Sequence, residues 1–225
     1  MSDRLHRVRQ LFGDDKIKKL QNATVMVFGC GAVGSFAIES LARSGVGNII
    51  LLDFDTVAES NINRQLFALC STLGHKKTDI ARERIADINS DINVTTKDTF
   101  FDGNTNLDVR PDFVIDAIDT VQSKIAIYRW CQNNNIPFIS SMGAARKTDP
   151  TKIKIDKISR TFACPLAARI RKIVCDEHIR EFPVVFSTET PAPHHSTSKE
   201  FGSIVTVTGT FGLMAANWVI QQIIK

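Results

Sequence analysis

Apolar and polar residues alternate along the first two thirds of the chain in two distinct ways. Three runs, at 24–28, 48–53 and 113–118, are almost continuously apolar, as is typical of parallel strands buried on both faces. Residues 77–89 instead repeat their apolar positions at helical spacing. This alternation of strands and helices predicts an α/β fold, doubly wound around a mostly parallel, Rossmann-like sheet.

The same patterns predict the remaining elements. We expect helices at 32–44, 121–134 and 165–175, and strands at 92–97, 136–140 and 152–158. Residues 187–203 are polar and rich in turn formers, which predicts a long surface loop. Because no repeat and no linker divides the chain, we expect one domain covering residues 1–225.

One segment is long enough to cross a membrane. Residues 204–224 contain no charged residue, and about 20 apolar residues span a bilayer. Threonine, asparagine and glutamine recur within it, which favours a buried core helix over a lipid-facing one. The N-terminus has no apolar signal core. We therefore expect no stable membrane insertion and a cytoplasmic protein.

The cysteines indicate a reducing compartment. Five of them are scattered along the chain and none forms a C-x-x-C pair. This pattern suits free thiols in the cytoplasm better than a disulfide framework. It also makes a structural zinc site unlikely, so no structural zinc is expected.

Positive charge is concentrated in one part of the chain. The net charge is +4, yet residues 146–180 contain ten Lys or Arg and only four acidic residues. A concentrated basic segment can attract a polyanion by counterion release. The alternative is a solvated surface with no ligand.

A glycine-rich turn follows the first predicted strand. Gly29, Gly31 and Gly34 form a G-x-G-x-x-G pattern at the start of the next helix, where backbone amides can hold phosphate. Asp53 ends the second strand and can accept hydrogen bonds from ribose hydroxyls. Asp55 either joins it in binding the nucleotide or shapes the turn. These features fit ATP and a dinucleotide equally well.

Polar residues further along the chain distinguish ATP from a dinucleotide as the expected ligand. Asn61, Arg64 and Gln65 follow the ribose carboxylate, and Lys77 opens the next helix. Two converging cations suit a triphosphate, whose departing pyrophosphate develops charge. Asp119 follows the third apolar strand and could hold Mg²⁺. A nicotinamide-binding oxidoreductase or sensor remains the alternative, and it would make Arg64, Lys77 and Asp119 incidental.

These motifs resemble a known family. Segments 53–65, 74–77 and 116–119 are similar to the ubiquitin-activating-type (ThiF/MoeB-like) adenylyltransferases. Within that superfamily, further segments resemble the tRNA threonylcarbamoyladenosine dehydratases: 161–168, 185–189 and 202–212. The resemblance implies a single adenylation domain, with an ATP-binding half at 1–145 and a substrate-binding and dimer-forming half at 146–225.

The resemblance also implies roles for individual residues. Gly31 would lie against the nucleotide, Asp53 would bind the ribose, and Asp119 would hold Mg²⁺. The residues implied to bind phosphates are Asn61, Arg64 and Lys77. Family members are typically homodimers in which an N-terminal arginine reaches the partner's ATP. Arg4, Arg7 and Arg9 are the candidates, and Arg7 looks best placed.

Two activities remain compatible with the resemblance. One is the ATP-dependent cyclisation of threonylcarbamoyladenosine in tRNA, a dehydration through an adenylated carboxylate that releases AMP and pyrophosphate. The other is the activation of the C-terminal glycine of a sulfur-carrier or ubiquitin-like protein. The missing zinc cysteines and the basic segment favour tRNA. Cys164 and Cys175 are interpreted as plain thiols. An enzyme that activates a carrier protein could instead use one of them in a covalent intermediate. The chain also looks shorter between residues 169 and 184 than the dehydratase pattern.

Overall fold

The computed structural model describes residues 3–103, 105, 107–194 and 201–225. Within them, seven strands form one sheet in the order β3-β2-β1-β4-β5-β7-β6. The strands are β1 Thr24–Phe28, β2 Asn48–Leu52, β3 Asn93–Lys97, β4 Phe113–Asp116, β5 Phe138–Ser141, β6 Ile153–Lys157 and β7 Pro183–Ser187. All neighbouring strands are parallel except β6 and β7. The predicted mostly parallel α/β sheet is therefore confirmed.

Helices cover both faces of this sheet. They are α1 His6–Phe12, α2 Asp14–Asn22, α3 Gly34–Ser44, α4 Lys77–Ile88, α5 Val121–Asn133, α6 Pro165–Asp176 and α7 Val205–Ile223. Val25 and Val27 of β1 pack into the core shared with α2, α3, α4 and α7. Met26 and Phe28 of the same strand pack into the core shared with α5 and α6. Alternate side chains point to opposite faces of a strand, which explains why β1 is apolar throughout.

The last helix packs closely against α3. Val207, Phe211, Ala215 and Val219 of α7 are all buried. A Cβ at Gly212 would overlap the carbonyl oxygen of Val33, so the backbones approach too closely for any other residue. The expected core helix at 204–224 is confirmed, and no helix in the described part of the chain is long and apolar enough to cross a membrane.

Three elements, α1, α2 and β7, were not predicted from the sequence patterns. Helices α1 and α2 are strongly charged, and in α2 only Ile17 and Leu20 are buried. Strand β7 lies within a region without a clear alternation, and its partners β5 and β6 are distant in sequence. The third apolar run was expected to stay extended to Ile118, but β4 ends at Asp116. Most of the expected loop at 187–203 is irregular, and its residues 195–200 lie outside the described part.

Candidate active site

The predicted site residues on the turns after β1, β2 and β4 lie near the carboxyl edge of the sheet. Strands β2, β1 and β4 are parallel neighbours, so the turns that follow them meet at the same edge. Gly29 has a φ of 91°, a left-handed conformation that favours glycine. A Cβ at Gly34 would overlap the carbonyl oxygen of Gly29. The glycines thus form a tight turn that places the start of α3 at this edge.

Asp53 connects the glycine-rich turn to the end of β2. Its Oδ2 accepts a hydrogen bond of 2.6 Å from the Cys30 amide, and its Oδ1 accepts one of 2.8 Å from the Asp55 amide. The side chain is only 8 % exposed. This burial raises the pKa of the Asp53 carboxyl, although both hydrogen bonds oppose the shift. The sequence suggested a ribose ligand, but not the contact with the Cys30 amide.

The loop between β2 and α4 places Gln65 beside the glycines. The Gln65 Nε2 would lie 3.7 Å from a Cβ at Gly31, and the Leu66 amide donates a hydrogen bond of 3.1 Å to Ser35 Oγ. Arg64 folds back onto its own loop, where Nη1 donates to the Ser60 carbonyl at 2.6 Å. The loop therefore brings the Gln65 amide to the glycine-rich turn, while the Arg64 guanidinium is held within the loop.

Two smaller contacts complete this loop. Asn61 Oδ1 accepts a hydrogen bond of 3.2 Å from the Ala58 amide. Asn63 Nδ2 donates to the Ser203 carbonyl at 3.2 Å, which joins the loop to the segment preceding α7. Asn61 is thus used to shape the loop, with its amide nitrogen left to bind other groups.

Lys77 is the first residue of α4 and is held by Asp55. Its Nζ lies 2.7 Å from Asp55 Oδ2, and its side chain is only 6 % exposed. Asp55 is itself half exposed. The pair keeps the lysine charge beside the turn after β2, so the proposed phosphate cation is already positioned. Asp55 acts here as the partner of that cation.

The two aspartates around β4 have contrasting surroundings. Asp119 is exposed, and only Thr120 Oγ1 donates to its carboxylate among the described residues, at 3.4 Å. Asp116 is fully buried, and its Oδ2 lies 2.8 Å from Lys124 Nζ. Asp119 is therefore free to bind a ligand, while Asp116 is already neutralised.

Lys124 is the centre of a buried network that sequence reasoning missed. Besides Asp116, its Nζ donates to the Ser141 carbonyl at 2.7 Å and to Ser140 Oγ at 3.2 Å. Tyr128 OH lies 2.7 Å from the same Ser140 hydroxyl. The network joins α5 to the ends of β4 and β5. The signal available in the sequence was a charged residue, Lys124, beside Ile125 on the apolar part of α5.

Arg7 does not join this site within its own chain. Leu5 would contact a Cβ at Gly45, just after α3, and Arg4 donates to Asn89, just after α4. Helix α1 therefore lies at the far ends of α3 and α4, about 16 Å from their starts. Arg9 is paired with Asp3 and Asp14. Arg7 is exposed and has no ion pair among the described residues.

Part of the basic segment supports the fold. Lys147 is buried and donates to the carbonyls of Ala163 and Glu189. Arg146 Nε donates to the Ala192 carbonyl at 2.6 Å. Arg171 donates to Thr161 Oγ1 at 2.6 Å. The cations of this segment that are exposed and make no ion pair with a described residue are Lys154, Lys157, Arg169, Lys172 and Arg180. The number of basic residues in the segment therefore overstates the positive charge that is available to bind a polyanion.

The two cysteines of the later region differ in burial. Cys164 is buried, and its Sγ accepts a hydrogen bond of 3.4 Å from the Ala167 amide at the start of α6. Cys175 is exposed near the end of the same helix. Both are free thiols. The contacts of Cys164 are those of a helix cap.

Comparison with models of known protein families shows to which family this chain belongs. The model of the ThiF family matches residues 4–225. The chain belongs to the ThiF family. Family membership therefore extends over the glycine-rich turn, the Arg64 loop, Lys77 and Asp119 alike.

Several similar proteins are described as tRNA threonylcarbamoyladenosine dehydratases. The chain is 47 % identical over 183 residues to the tRNA threonylcarbamoyladenosine dehydratase of Bacillus subtilis, covering 80 % of this chain and 72 % of that protein. The crystal structure of the Escherichia coli tRNA N6-threonylcarbamoyladenosine dehydratase with AMP has a TM-score of 0.92 and 35 % identity. The same enzyme with ATP gives a TM-score of 0.91. Each alignment covers 98 % of this chain and 93 % of the other.

Proposed function

We propose that this protein is an ATP-dependent tRNA threonylcarbamoyladenosine dehydratase. The observation that carries the proposal is the match, over nearly the full length of both chains, to an enzyme of that name with AMP or ATP bound. The geometry of the carboxyl edge supports it, because the glycine-rich turn, the Asp55–Lys77 pair and the exposed Asp119 carboxylate follow neighbouring strands. The whole chain, residues 1–225, acts as one adenylation domain, with ATP bound by residues 1–145.

The site residues have complementary roles toward ATP. The turn of Gly29, Gly31 and Gly34 lets phosphate approach the backbone at the start of α3. Asp53 binds the ribose with the carboxylate lone pairs that its two amide contacts leave free. The groups that bind the triphosphate are Asn61, Arg64, Gln65 and Lys77. The Asp55 contact supports a fixed position for Lys77, and Arg64 would bind phosphate through N–H groups other than the one that it donates to the Ser60 carbonyl.

Asp119 is the residue that fits Mg²⁺. No group of three or more His, Cys, Asp or Glu side chains that could hold a metal is found among the described residues. Mg²⁺ does not need such a cage, since it usually keeps several waters and binds one or two carboxylates together with phosphate oxygens. The exposed Asp119 carboxylate suits this mode. When bound, the ion would neutralise charge on the phosphates.

The reaction needs an activated carboxylate. The free carboxylate of the modification attacks the α-phosphorus of ATP, and pyrophosphate leaves. Arg64 and Lys77 stabilise the charge that develops on it. A nitrogen or oxygen of the same modification then attacks the acyl carbon and displaces AMP, which carries away the former carboxylate oxygen. A ring closes and the modification has lost the elements of water.

No enzyme nucleophile is required for the second step. The attacking atom is already attached to the acyl group, so its effective concentration is high. The chain's task is to orient the adenylate and keep water away from it. This is consistent with Cys164 being a buried helix cap and not a covalent catalyst.

The enzyme works as a homodimer in which each subunit completes its partner's site. Helix α1 lies at the end of the subunit away from its own site, so Arg7 can serve only a second copy. Phe201, Ile204 and Val205 are large exposed apolar side chains around the start of α7. Such side chains are typical of a subunit interface.

The tRNA approaches from the side of α6 in the cytoplasm. Two of the exposed cations without an ion pair to a described residue, Arg169 and Lys172, lie on this helix. They can neutralise tRNA phosphates and release counterions. A sulfur-carrier protein is the alternative partner, since it would share the adenylation step.

The test is mass analysis of nucleosides from modified tRNA after incubation with the protein, ATP and Mg²⁺. We expect the modified adenosine to lose one water while AMP and pyrophosphate appear. Arg64→Ala or Asp119→Ala should slow substrate-dependent pyrophosphate exchange at least about a hundredfold. Arg82→Ala, on the exposed side of α4, is the matched control and should not change it.

Two results would argue against this function. Retention of exchange by Arg64→Ala would remove the proposed role of the guanidinium. Exchange that depends on the C-terminal glycine of a carrier protein, without any change to tRNA, would show that the activated substrate is a protein.

A further inference from the structure

Two acceptors on its own loop hold the guanidinium of Arg64. Its Nη1 donates to the Ser60 carbonyl at 2.6 Å and to Asn63 Oδ1 at 2.9 Å. Because Nη1 carries two hydrogens, these two bonds engage both of them. The remaining hydrogens, on Nε and Nη2, are the ones that phosphate oxygens can accept.

The second acceptor determines how the guanidinium is oriented. A guanidinium is planar and donates in a fixed fork. The Ser60 carbonyl alone would fix one N–H direction and would let the group turn about that bond. Asn63 Oδ1 fixes a second direction on the same nitrogen, and the two directions define the plane that also contains Nε and Nη2. Asn63 therefore sets the orientation of the hydrogens that remain for phosphate.

Asn63 is itself held by a distant part of the chain. Its Nδ2 donates to the Ser203 carbonyl at 3.2 Å, just before α7. The side chain thus uses both ends of its carboxamide, accepting from Arg64 and donating to Ser203. A leucine of similar size could do neither, which makes this position sensitive to an isosteric substitution.

The segment that holds Asn63 is held in turn by Arg146. The Arg146 amide donates to the Gly202 carbonyl at 2.9 Å, and its guanidinium lies 5.7 Å from the centre of the Phe201 ring. Arg146 also exchanges two hydrogen bonds with Ala192, of 2.6 and 2.7 Å. Its φ of 60° is left-handed and uncommon for arginine. Contacts on both sides therefore keep Arg146 in this conformation.

These contacts form one continuous path from the turn after β5 to Arg64. We propose that Asn63 is a positioning residue that orients the Arg64 guanidinium toward the departing pyrophosphate, and that Arg146 holds Asn63 in place through residues 201–203. The path would join the ATP-binding half of the chain to the half that meets the second substrate. This inference rests on the proposed function, because it assigns a task within the adenylation step.

The expected effect is on the reaction and not on folding. Asn63 is exposed and Arg64 is partly exposed, and a hydrogen bond in contact with water contributes little to folding. The charge of the leaving pyrophosphate, in contrast, develops in the transition state. A change in the orientation of Arg64 should therefore alter kcat more than the KM for ATP.

The first test compares Asn63→Leu with the unaltered enzyme in substrate-dependent pyrophosphate exchange. We expect kcat to fall about tenfold, as for a misplaced catalytic group. The KM for ATP should change less than about twofold, and the midpoint of urea unfolding should stay the same. Asn63→Gln keeps both ends of the carboxamide and should recover part of the loss.

Asn134→Leu is the matched control for this test. Asn134 is exposed after α5 and donates to the Trp130 carbonyl at 2.8 Å. It lies at the end of α5 away from the carboxyl edge of the sheet. Its substitution removes an exposed carboxamide of the same kind and should leave kcat and KM unchanged.

The second test asks whether Asn63 acts through Arg64. In the Arg64→Ala background, Asn63→Leu should cause no further loss of kcat, since no guanidinium remains to be oriented. A merely structural role of Asn63 would lower kcat by the same factor in both backgrounds.

The third test asks whether Arg146 acts through Asn63. Arg146→Asn removes the guanidinium and introduces a residue type that tolerates the left-handed conformation. Measured at saturating RNA, its kcat should fall about fivefold. Combined with Asn63→Leu, it should lower kcat no further than Asn63→Leu does alone.

Three outcomes would overturn the inference. They are an unchanged kcat in Asn63→Leu, an undiminished effect of Asn63→Leu in the Arg64→Ala background, and losses in Arg146→Asn and Asn63→Leu that multiply. Each of them leaves the proposed function intact if the unaltered enzyme still removes water from the modified tRNA. If the unaltered enzyme removes no water and performs no exchange, the proposed function fails, and this inference fails with it.

Discussion

Three aspartates at the carboxyl edge of the sheet are distinguished by their burial. Asp53 is mostly buried and accepts two backbone amides, Asp116 is fully buried with Lys124, and Asp119 is exposed. All three follow apolar strands in the sequence. Only their surroundings distinguish the three carboxylates: Asp53 connects two turns, Asp116 forms a structural ion pair, and Asp119 is the proposed ligand for Mg²⁺.

The Lys124–Asp116 pair leads to a stability prediction. Lys124→Met would leave a carboxylate buried without its partner, which costs about 3–5 kcal/mol of unfolding free energy. The double variant Lys124→Met with Asp116→Asn removes both charges and should recover part of this loss. Urea unfolding measures both effects. A double variant no more stable than the single one would show that the ion pair is not the cause.

The sequence indicated most of the site at this scale but not its connections. Gly29, Asp53, Arg64, Lys77 and Asp119 follow from motif spacing, because strand ends and helix starts are local features. The Lys124 network was not predictable in the same way. It depends on Ser140 and Ser141 of β5, which only the parallel pairing of β4 and β5 brings beside Asp116.

Helices α3 and α4 begin at the groups proposed to bind phosphate, and the two helices are linked by one carboxylate. Glu39 of α3 accepts two hydrogen bonds from Arg84 of α4, of 3.1 and 3.0 Å, and one of 2.7 Å from Arg43. Burial alone would raise the pKa of Glu39, but these arginines outweigh it, and the pKa lies below its ordinary value of 4.5. The linkage keeps the starts of the two helices in register.

Glu39 leads to a pH-dependent prediction. A carboxyl with a lowered pKa stabilises the fold above its unfolded pKa, and this contribution is lost as pH falls through the folded pKa. Glu39→Gln should therefore lower stability by about 1 kcal/mol at neutral pH, with a difference that disappears in acid below pH 4.5. Urea unfolding across pH measures it.

Glu83→Gln is the matched control for this prediction. Glu83 is exposed on α4 and forms no ion pair with any described residue, so its substitution should leave the pH profile unchanged. A constant difference between Glu39→Gln and the unaltered protein at all pH values would rule out the ion pairs as its source.

Elements were predictable where periodicity was strong. The buried strands β1, β2 and β4 and the helices α4, α5 and α6 follow from apolar patterns that local sequence carries. Strand β7 was missed because its place between β5 and β6 is set by long-range pairing. Helix α1 was missed because none of its residues is buried, so it carries no apolar stripe.

The subunit as a whole has its reactive groups at opposite ends. The phosphate-binding turn lies where α3 begins, and Arg7 lies beyond where α3 ends. In the homodimer proposed above, the site of a single copy would be incomplete and its own Arg7 would be out of reach. Two copies related by symmetry would then supply each other's missing group.

Mixed dimers test this arrangement. Arg7→Ala and Asp119→Ala should each be inactive alone, because every site in each homodimer lacks one group. Mixing and reassociating them should restore about a quarter of the unaltered rate, from one complete site in half of the dimers. Arg4→Ala mixed with Asp119→Ala is the control, and we expect Arg4→Ala to be active by itself. No recovery in the Arg7 mixture would exclude a shared site.

The close packing of Gly212 against Val33 has a practical consequence for deletion experiments. Helix α7 supports the backbone immediately before α3, and α3 begins at the glycine-rich turn. Removing the last turns of α7 would therefore weaken the packing that supports the glycine-rich turn, without deleting any residue that we propose to bind ATP. A C-terminally shortened protein that no longer binds nucleotide would report lost support for the turn, and should not be taken to place ATP contacts in the tail.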